Sequence, residues 1–191
     1  MSILLNRMRY MLTPQFDIYE QVADIVTGRT ADVGCGLGYG TQLFARLADS
    51  VVGYDIENDF LEFASRSFTY PNLCFEFGDI LNRSHAGIKG DFDTVVMIDV
   101  IEHVEYDQDA IKSAASITST SGTFICSTPN RLSRYRKSDN HVREYAPDEF
   151  EKLMLTGFEN VRICSYGLER IGLKTENPLI AICDQPLKGN T

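Results

Sequence analysis

Along this 191-residue chain, short β-like runs alternate with longer stretches of helical period, an order that predicts a parallel sheet with helices on both faces. Thr13-Pro14 reads as a helix start, a hydroxyl ahead of a proline at the first helical position, with apolar residues recurring at Ile18, Val22, Ile25 and Val26. A first strand is expected over 30–33, although Arg29-Thr30-Ala31 is short and weakly apolar for a central strand. A glycine-rich turn comes next, then a helix over 41–47 and the β-branched strand Val51-Val52-Gly53-Tyr54, ended by Asp55. Asn58 or Asp59 is expected to cap the following helix, and Pro71-Asn72 to open a strand over 73–77.

Residues 92–98 form a near-continuous apolar run, the pattern of a central strand buried on both faces. A helix over 108–117 and a strand over 122–127 complete this part. The polar segment 128–145 is too long for an ordinary connection and is expected to carry function. Pro147 opens a last helix through Leu155, and 161–166 and 179–183 read as two closing strands paired antiparallel. The expected architecture is one doubly wound α/β domain over 1–191, its N-terminal part (1–28) a helical cap.

Composition narrows the function. A hydrophobic fraction of 43% and a charged fraction of 24% are those of an ordinary globular protein, and no apolar run reaches the length of a membrane span. Asn6, Arg7 and Arg9 interrupt the N-terminal apolar residues, so no signal peptide is read there. Five cysteines (Cys35, Cys74, Cys126, Cys164, Cys183) are scattered and never in a CxxC pair, which fits a reducing cytoplasm and argues against a thiolate metal site. The net charge of −9 argues against binding long nucleic acid, although Arg131, Arg134, Arg136, Lys137 and Arg143 form one basic segment. That segment reads either as a solvated loop or as a hold for a small anionic substrate.

The chemistry starts at Asp32-Val33-Gly34-Cys35-Gly36-Leu37-Gly38, where the first strand turns into a helix. Glycines there let the backbone approach a ligand closely, and a helix amino terminus adds partial positive charge. The dinucleotide frame GxGxxG fails, because Tyr39 and Thr41 stand where its third glycine belongs, and no GK[ST] follows for a P-loop. Asp55 ends the second strand about 20 residues on, where a carboxylate can accept from both hydroxyls of a ribose. Gly78-Asp79-Ile80 ends the third strand, placed to meet an adenine edge with a carboxylate and an apolar side chain.

These stretches, with Tyr54-Asp55-Ile56 and residues 93–104, resemble the successive motifs of class I S-adenosylmethionine-dependent methyltransferases over nearly the whole chain. Ser127-Thr128-Pro129-Asn130-Arg131 and His141-Val142-Arg143-Glu144-Tyr145 extend the likeness to a bacterial and phage branch often found near polysaccharide genes. The resemblance implies a Rossmann-like, mostly parallel seven-stranded sheet with an antiparallel last strand. It implies S-adenosylmethionine as cofactor, its methionine end held by Asp32 with Gly34, Cys35, Gly36 and Gly38. Asp55 would hold the ribose, Ile56 would pack on adenine, and Asp79 with Ile80 would read the amino group.

Asp99, Glu102 and His103 follow the fourth strand, and helical spacing would put all three on one face. His141 lies in the acceptor-side loop 128–146, and neighbouring fourth and fifth strands would bring both segments together. Three readings stay open. His103 or His141 is a general base; or Asp99, Glu102, His103 and His141 cage a divalent ion such as Mg²⁺ or Mn²⁺; or the motif is structural and Asp99 touches the cofactor's ammonium group. The cage resembles that of small-RNA 3′-terminal 2′-O-methyltransferases and, in its first half, ubiquinone-pathway O-methyltransferases, with Asp99 in place of the first glutamate. Asn130 and Arg131 are candidates for holding the acceptor, and Tyr10, Tyr135 and Tyr145 for closing over it. His85 receives no role.

The expected activity is methylation of a hydroxyl on a small metabolite or sugar, by a monomer or homodimer without membrane association. A short RNA end held by the basic segment is a second candidate acceptor. Two further classes compete with a methyltransferase: a non-catalytic S-adenosylmethionine-binding domain and an NAD-dependent oxidoreductase. The absent third glycine and the lack of a YxxxK pair oppose the oxidoreductase.

Overall fold

The computed structural model describes residues 13–81, 87–134, 138–168 and 175–188. Seven strands form one sheet: β1 (Arg29–Val33), β2 (Ser50–Asp55), β3 (Leu73–Phe77), β4 (Phe92–Ile98), β5 (Thr118–Thr128), β6 (Phe158–Cys164) and β7 (Leu179–Pro186). Their order is β3-β2-β1-β4-β5-β7-β6, and β7 alone runs antiparallel, against both β5 and β6. The helices are α1 (Pro14–Ala23), α2 (Thr41–Phe44), α3 (Asn58–Ser67), α4 (Asp107–Ile117) and α5 (Pro147–Met154). This is the doubly wound, mostly parallel sheet that the alternating pattern predicts. The strand order reverses between β1 and β4, and ligand crevices of such sheets open at that switch point, outside the carboxyl ends of the strands.

Apart from the exposed Asp93, β4 is buried, with Phe92, Val95, Val96 and Met97 excluded from solvent. Weakly apolar β1 stands beside it because its polar residues are satisfied: the Thr30 hydroxyl donates to the Thr27 carbonyl, and Arg29 lies 4.5 Å over the Phe92 ring. α1 is packed against the rest of the domain. Ile18, Tyr19, Val22 and Ala23 pack into a core cluster with Phe44, Val96 and Ile125.

Several boundaries differ from expectation, β6 by starting at Phe158 rather than 161 and β7 by running on to Pro186 among them. α2 ends at Phe44 rather than continuing to 47, its end closed by turn bonds from the Leu47 and Ala48 amides to the Phe44 carbonyl. α3 is preceded by Glu57, whose amide is held by the Asp55 carboxylate, so neither Asn58 nor Asp59 is its cap. β5 begins at Thr118, directly after α4, where the Thr118 hydroxyl caps the Ala114 carbonyl. Its pairing with β4 then jumps from Phe92–Thr118 to Thr94–Thr123, a bulge that periodicity does not reveal.

Candidate active site

The glycine turn after β1 is clamped onto β2, with the amides of Gly34 and Cys35 both donating to the Tyr54 carbonyl, at 2.7 and 2.9 Å. Gly34 has φ +77° and rests against Val100, just past β4; an added Cβ would lie 2.4 Å from a Val100 methyl. Gly36 has φ +53°, and the space where its Cβ would stand is open. A left-handed residue facing open space leaves the backbone bare for a ligand to approach. Asp55 secures the turn from β2: one carboxylate oxygen accepts from the Gly36 amide at 2.8 Å, the other from the Glu57 amide at 2.9 Å. Beside it Ile56 is 57% exposed, an apolar side chain standing in solvent at the mouth of the crevice.

Asp32 is fully buried beneath the turn. The Tyr19 hydroxyl from α1 donates to both its oxygens, and the Thr41 hydroxyl donates to one at 2.6 Å. Burial, opposed by these bonds, pushes its carboxyl up to about 7. Cys35 is buried under the same turn, and burial raises its thiol. Asp79 follows β3 and accepts from the Leu81 amide at 2.8 Å, whereas the Ile80 side chain is packed in the main core cluster. Sequence reasoning misses Tyr19 and Thr41, which lock Asp32; the only signal is Thr41 at a helix start.

On the other side of the switch point, Asp99 takes a left-handed conformation (φ +51°), and residues Ile101–His103 form a single 3-10 turn. The α-helical face expected for Asp99, Glu102 and His103 is therefore absent. Ser127 at the end of β5 binds Asp99 twice, its hydroxyl donating to the carboxylate at 2.7 Å and accepting from the Asp99 amide. Glu102 is 1% exposed and accepts from the Thr128 hydroxyl at 3.1 Å. Burial drives the Asp99 and Glu102 carboxyls upward, and for Glu102 the nearby Asp99 charge adds to the shift.

The backbone carbonyl of Glu102 accepts from the amides of Val142 and Arg143, at 2.8 and 3.1 Å, which draws the long polar segment onto the 3-10 turn. His141 thereby meets His103, edge to face with ring centroids 4.9 Å apart. His103 Nδ1 contacts the Asn140 carbonyl at 3.0 Å, and His141 Nδ1 contacts the Glu144 carboxylate at 2.8 Å. A carbonyl and a carboxylate only accept, so each Nδ1 carries a proton, and the neutral tautomer of His103 has its lone pair on Nε2.

Asp99, Glu102, His103 and His141 line a cavity of about 120 Å³, walled further by Gln15 of α1, Tyr166 and the Asn177–Pro178 pair. Asn177 and Glu176 in turn hold Asn130, through its amide on the Asn177 side chain and its side-chain nitrogen on the Glu176 carbonyl. Glu102, His103 and His141 also present ligand atoms within 4.8 Å of one another, a set that does not include Asp99. Arg131 lies outside this cavity, bound to Glu149, and Tyr145 is buried on Asp107, so neither lines it. Tyr10, His85 and Tyr135 lie outside the described residues. No helix among those residues is long and apolar enough to cross a membrane.

The sequence family described as "Methyltransferase domain" matches residues 31–126, from the middle of β1 to the end of β5. A probable S-adenosylmethionine-dependent methyltransferase of Mycobacterium tuberculosis is 29% identical over 157 residues, covering 77% of this chain and 55% of the relative. A ubiquinone biosynthesis O-methyltransferase of Methylococcus capsulatus is 30% identical over 108 residues, 56% of this chain and 46% of that protein. This chain thus spans about half the length of these curated relatives. Among solved structures, a TehB-like SAM-dependent methyltransferase from Corynebacterium glutamicum superimposes with a TM-score of 0.70 at 15% identity, covering 95% of this chain and 96% of the other. With the glycine turn, the acidic strand ends and the strand order in place, the family match assigns the chain to the class I S-adenosylmethionine-dependent methyltransferases.

Proposed function

We propose that this chain transfers a methyl group from S-adenosylmethionine to a hydroxyl of a small acceptor seated in the cavity at the ends of β4 and β5. The open space over Gly36, the exposed Ile56 and the Asp55 carboxylate between them fit an adenosyl ligand. They offer a bare backbone for the methionine end, an acceptor for ribose hydroxyls and an apolar platform for the base. When bound, the cofactor would supply an electrophilic methyl group on a sulfonium. Asp32, fully buried beneath the turn and held there by Tyr19 and Thr41, acts on this site through the turn it locks.

One observation carries the choice of a hydroxyl acceptor: His103 lines the cavity with Nδ1 engaged by a carbonyl and its lone pair therefore on Nε2. In that tautomer it can take the proton a hydroxyl must lose as it is methylated. His141 holds the His103 ring edge-on, and the cavity of about 120 Å³ admits only a small group. The ubiquinone biosynthesis relatives support an oxygen acceptor.

A second reading is favoured by the convergence of Glu102, His103 and His141. A divalent ion held there would lower the pKa of an acceptor hydroxyl, and the Nδ1 contacts of both histidines match the outer hydrogen bonds that orient metal-bound imidazoles.

Incubating the chain with methyl-labelled S-adenosylmethionine and pooled sugars, phenols and hydroxy acids tests the proposal. Label should enter an oxygen-linked methyl group, and His103→Gln should slow transfer roughly a hundredfold with unchanged affinity for S-adenosylhomocysteine. Activity abolished by a chelator and restored by Mn²⁺ would move the assignment to the metal. Label on nitrogen or carbon alone would end the hydroxyl reading.

A further inference from the structure

A larger cavity, of about 440 Å³, opens between α4, α5 and the segment after β5, and shares no lining residue with the acceptor pocket. Arg131, Arg143 and Lys152 face it together with Asp107, Glu144 and Glu149, over a floor that includes Leu153. The formal charges cancel, but the hydrogen-bonding capacity does not.

Each acid is already engaged. Asp107 accepts from the Gln108 amide with one oxygen and from Arg143 and the Tyr145 hydroxyl with the other. Both oxygens of Glu149 accept from Arg131 Nη2, and one accepts from the Ala146 amide as well. Glu144 is turned to His141.

The cations keep donors in reserve. Arg131 uses only Nη2 and Arg143 only Nη1 in these contacts, so among the described residues each guanidinium retains Nε and its second Nη. Lys152, 3.6 Å from Asp148 and largely exposed, adds a third, movable donor. A cavity with anchored guanidiniums, spare donors and occupied acceptors calls for a ligand that brings acceptors of its own.

We propose that this cavity is a second ligand site, taking the oxyanion of a phosphorylated or carboxylated small molecule between Arg131, Arg143 and Lys152. Its link to the acceptor pocket is the His141–Glu144 pair, whose two members line the two cavities. The guanidiniums are about half exposed, so affinity for a bare ion is expected in the millimolar range and weakened by salt.

The test is titration of the isotope-labelled chain with inorganic phosphate at fixed ionic strength, followed through the arginine Nε–H resonances, with acetate as the carboxylate arm and chloride as control. Phosphate or acetate should shift the Arg131 and Arg143 signals saturably; whichever binds more tightly identifies the anion class. Arg131→Gln and Lys152→Gln, both at exposed positions, should each weaken binding about tenfold. Asp99→Asn, in the other pocket, should leave it unchanged. No saturable shift beyond that of chloride, or equal binding by Arg131→Gln, Lys152→Gln and the unaltered chain, would overturn the proposal. No adenosyl compound enters the experiment, so its outcome is independent of the methyl-transfer reading.

Discussion

The two sides of the crevice are built on different principles. On the cofactor side the contacts are made largely by backbone: the Gly34 and Cys35 amides on Tyr54, the Gly36 amide on Asp55, and a turn with no room for a Cβ at Gly34. Around the cavity at the ends of β4 and β5 most involve side chains from segments far apart in sequence, such as Thr128 on Glu102, Ser127 on Asp99, and Asn177 on Asn130. A backbone-built site constrains which residues fit and suits one invariant ligand. A side-chain-built site rests on pairs and can be altered for different acceptors without disturbing its neighbour.

The largest expected effect that sharpens this contrast is a dependence on pH. Burial lifts the Asp32 carboxyl from 3.8 to about 7, so the folded chain holds a proton that the unfolded chain releases. Its contribution to stability is therefore complete below pH about 4 and is lost as pH rises to about 7, a swing on the order of 4 kcal/mol. Asp32→Asn keeps an acceptor for Tyr19 and Thr41 and should remove that swing, as urea unfolding at pH 4.5 and 7.5 would measure. An equal pH dependence in both proteins would mean that Asp32 is ionised when folded.

Next comes Gly34→Val, which combines a left-handed β-branched residue with a clash against Val100. It should lose about 3 kcal/mol in denaturant unfolding and all measurable binding of S-adenosylhomocysteine. On the far side of the switch point, at the charged cavity, Asp107→Ala leaves the buried Tyr145 hydroxyl and Arg143 without their shared carboxylate. A loss of about 2 kcal/mol is expected, with cofactor affinity unchanged. If cofactor affinity fell in parallel with stability, the two sides would not be independent. The smallest effect belongs to the exposed Glu62–Arg66 pair on α3: Arg66→Ala should change stability by less than about 0.5 kcal/mol and bind the cofactor normally.

The same contrast explains what can be read from the sequence. The sheet, its closing antiparallel pair and the strand-end positions of Gly34, Gly36, Asp55 and Asp79 follow from local periodicity and turn chemistry. The meeting of His103 and His141 follows from the adjacency of β4 and β5, but its means does not, because the Glu102 carbonyl that draws in Val142 and Arg143 leaves no mark on residue type. Glu144 and Asp107 are invisible as site residues for the same reason, since their partners are fixed by tertiary convergence. At Ile80 residue type does not decide either: an apolar residue at a strand end reads equally as ligand contact or core, and its side chain is packed in the main core cluster.

An adenosyl ligand lying over Gly36 and Asp55 is the central claim, and calorimetric titration of S-adenosylmethionine, S-adenosylhomocysteine and NAD into the chain and its Asp55→Ala variant tests it directly. Both adenosyl compounds should bind the unaltered chain, NAD should not, and Asp55→Ala should lose them while Asp107→Ala keeps them. Binding of NAD alone, or adenosyl binding untouched by Asp55→Ala, would contradict it.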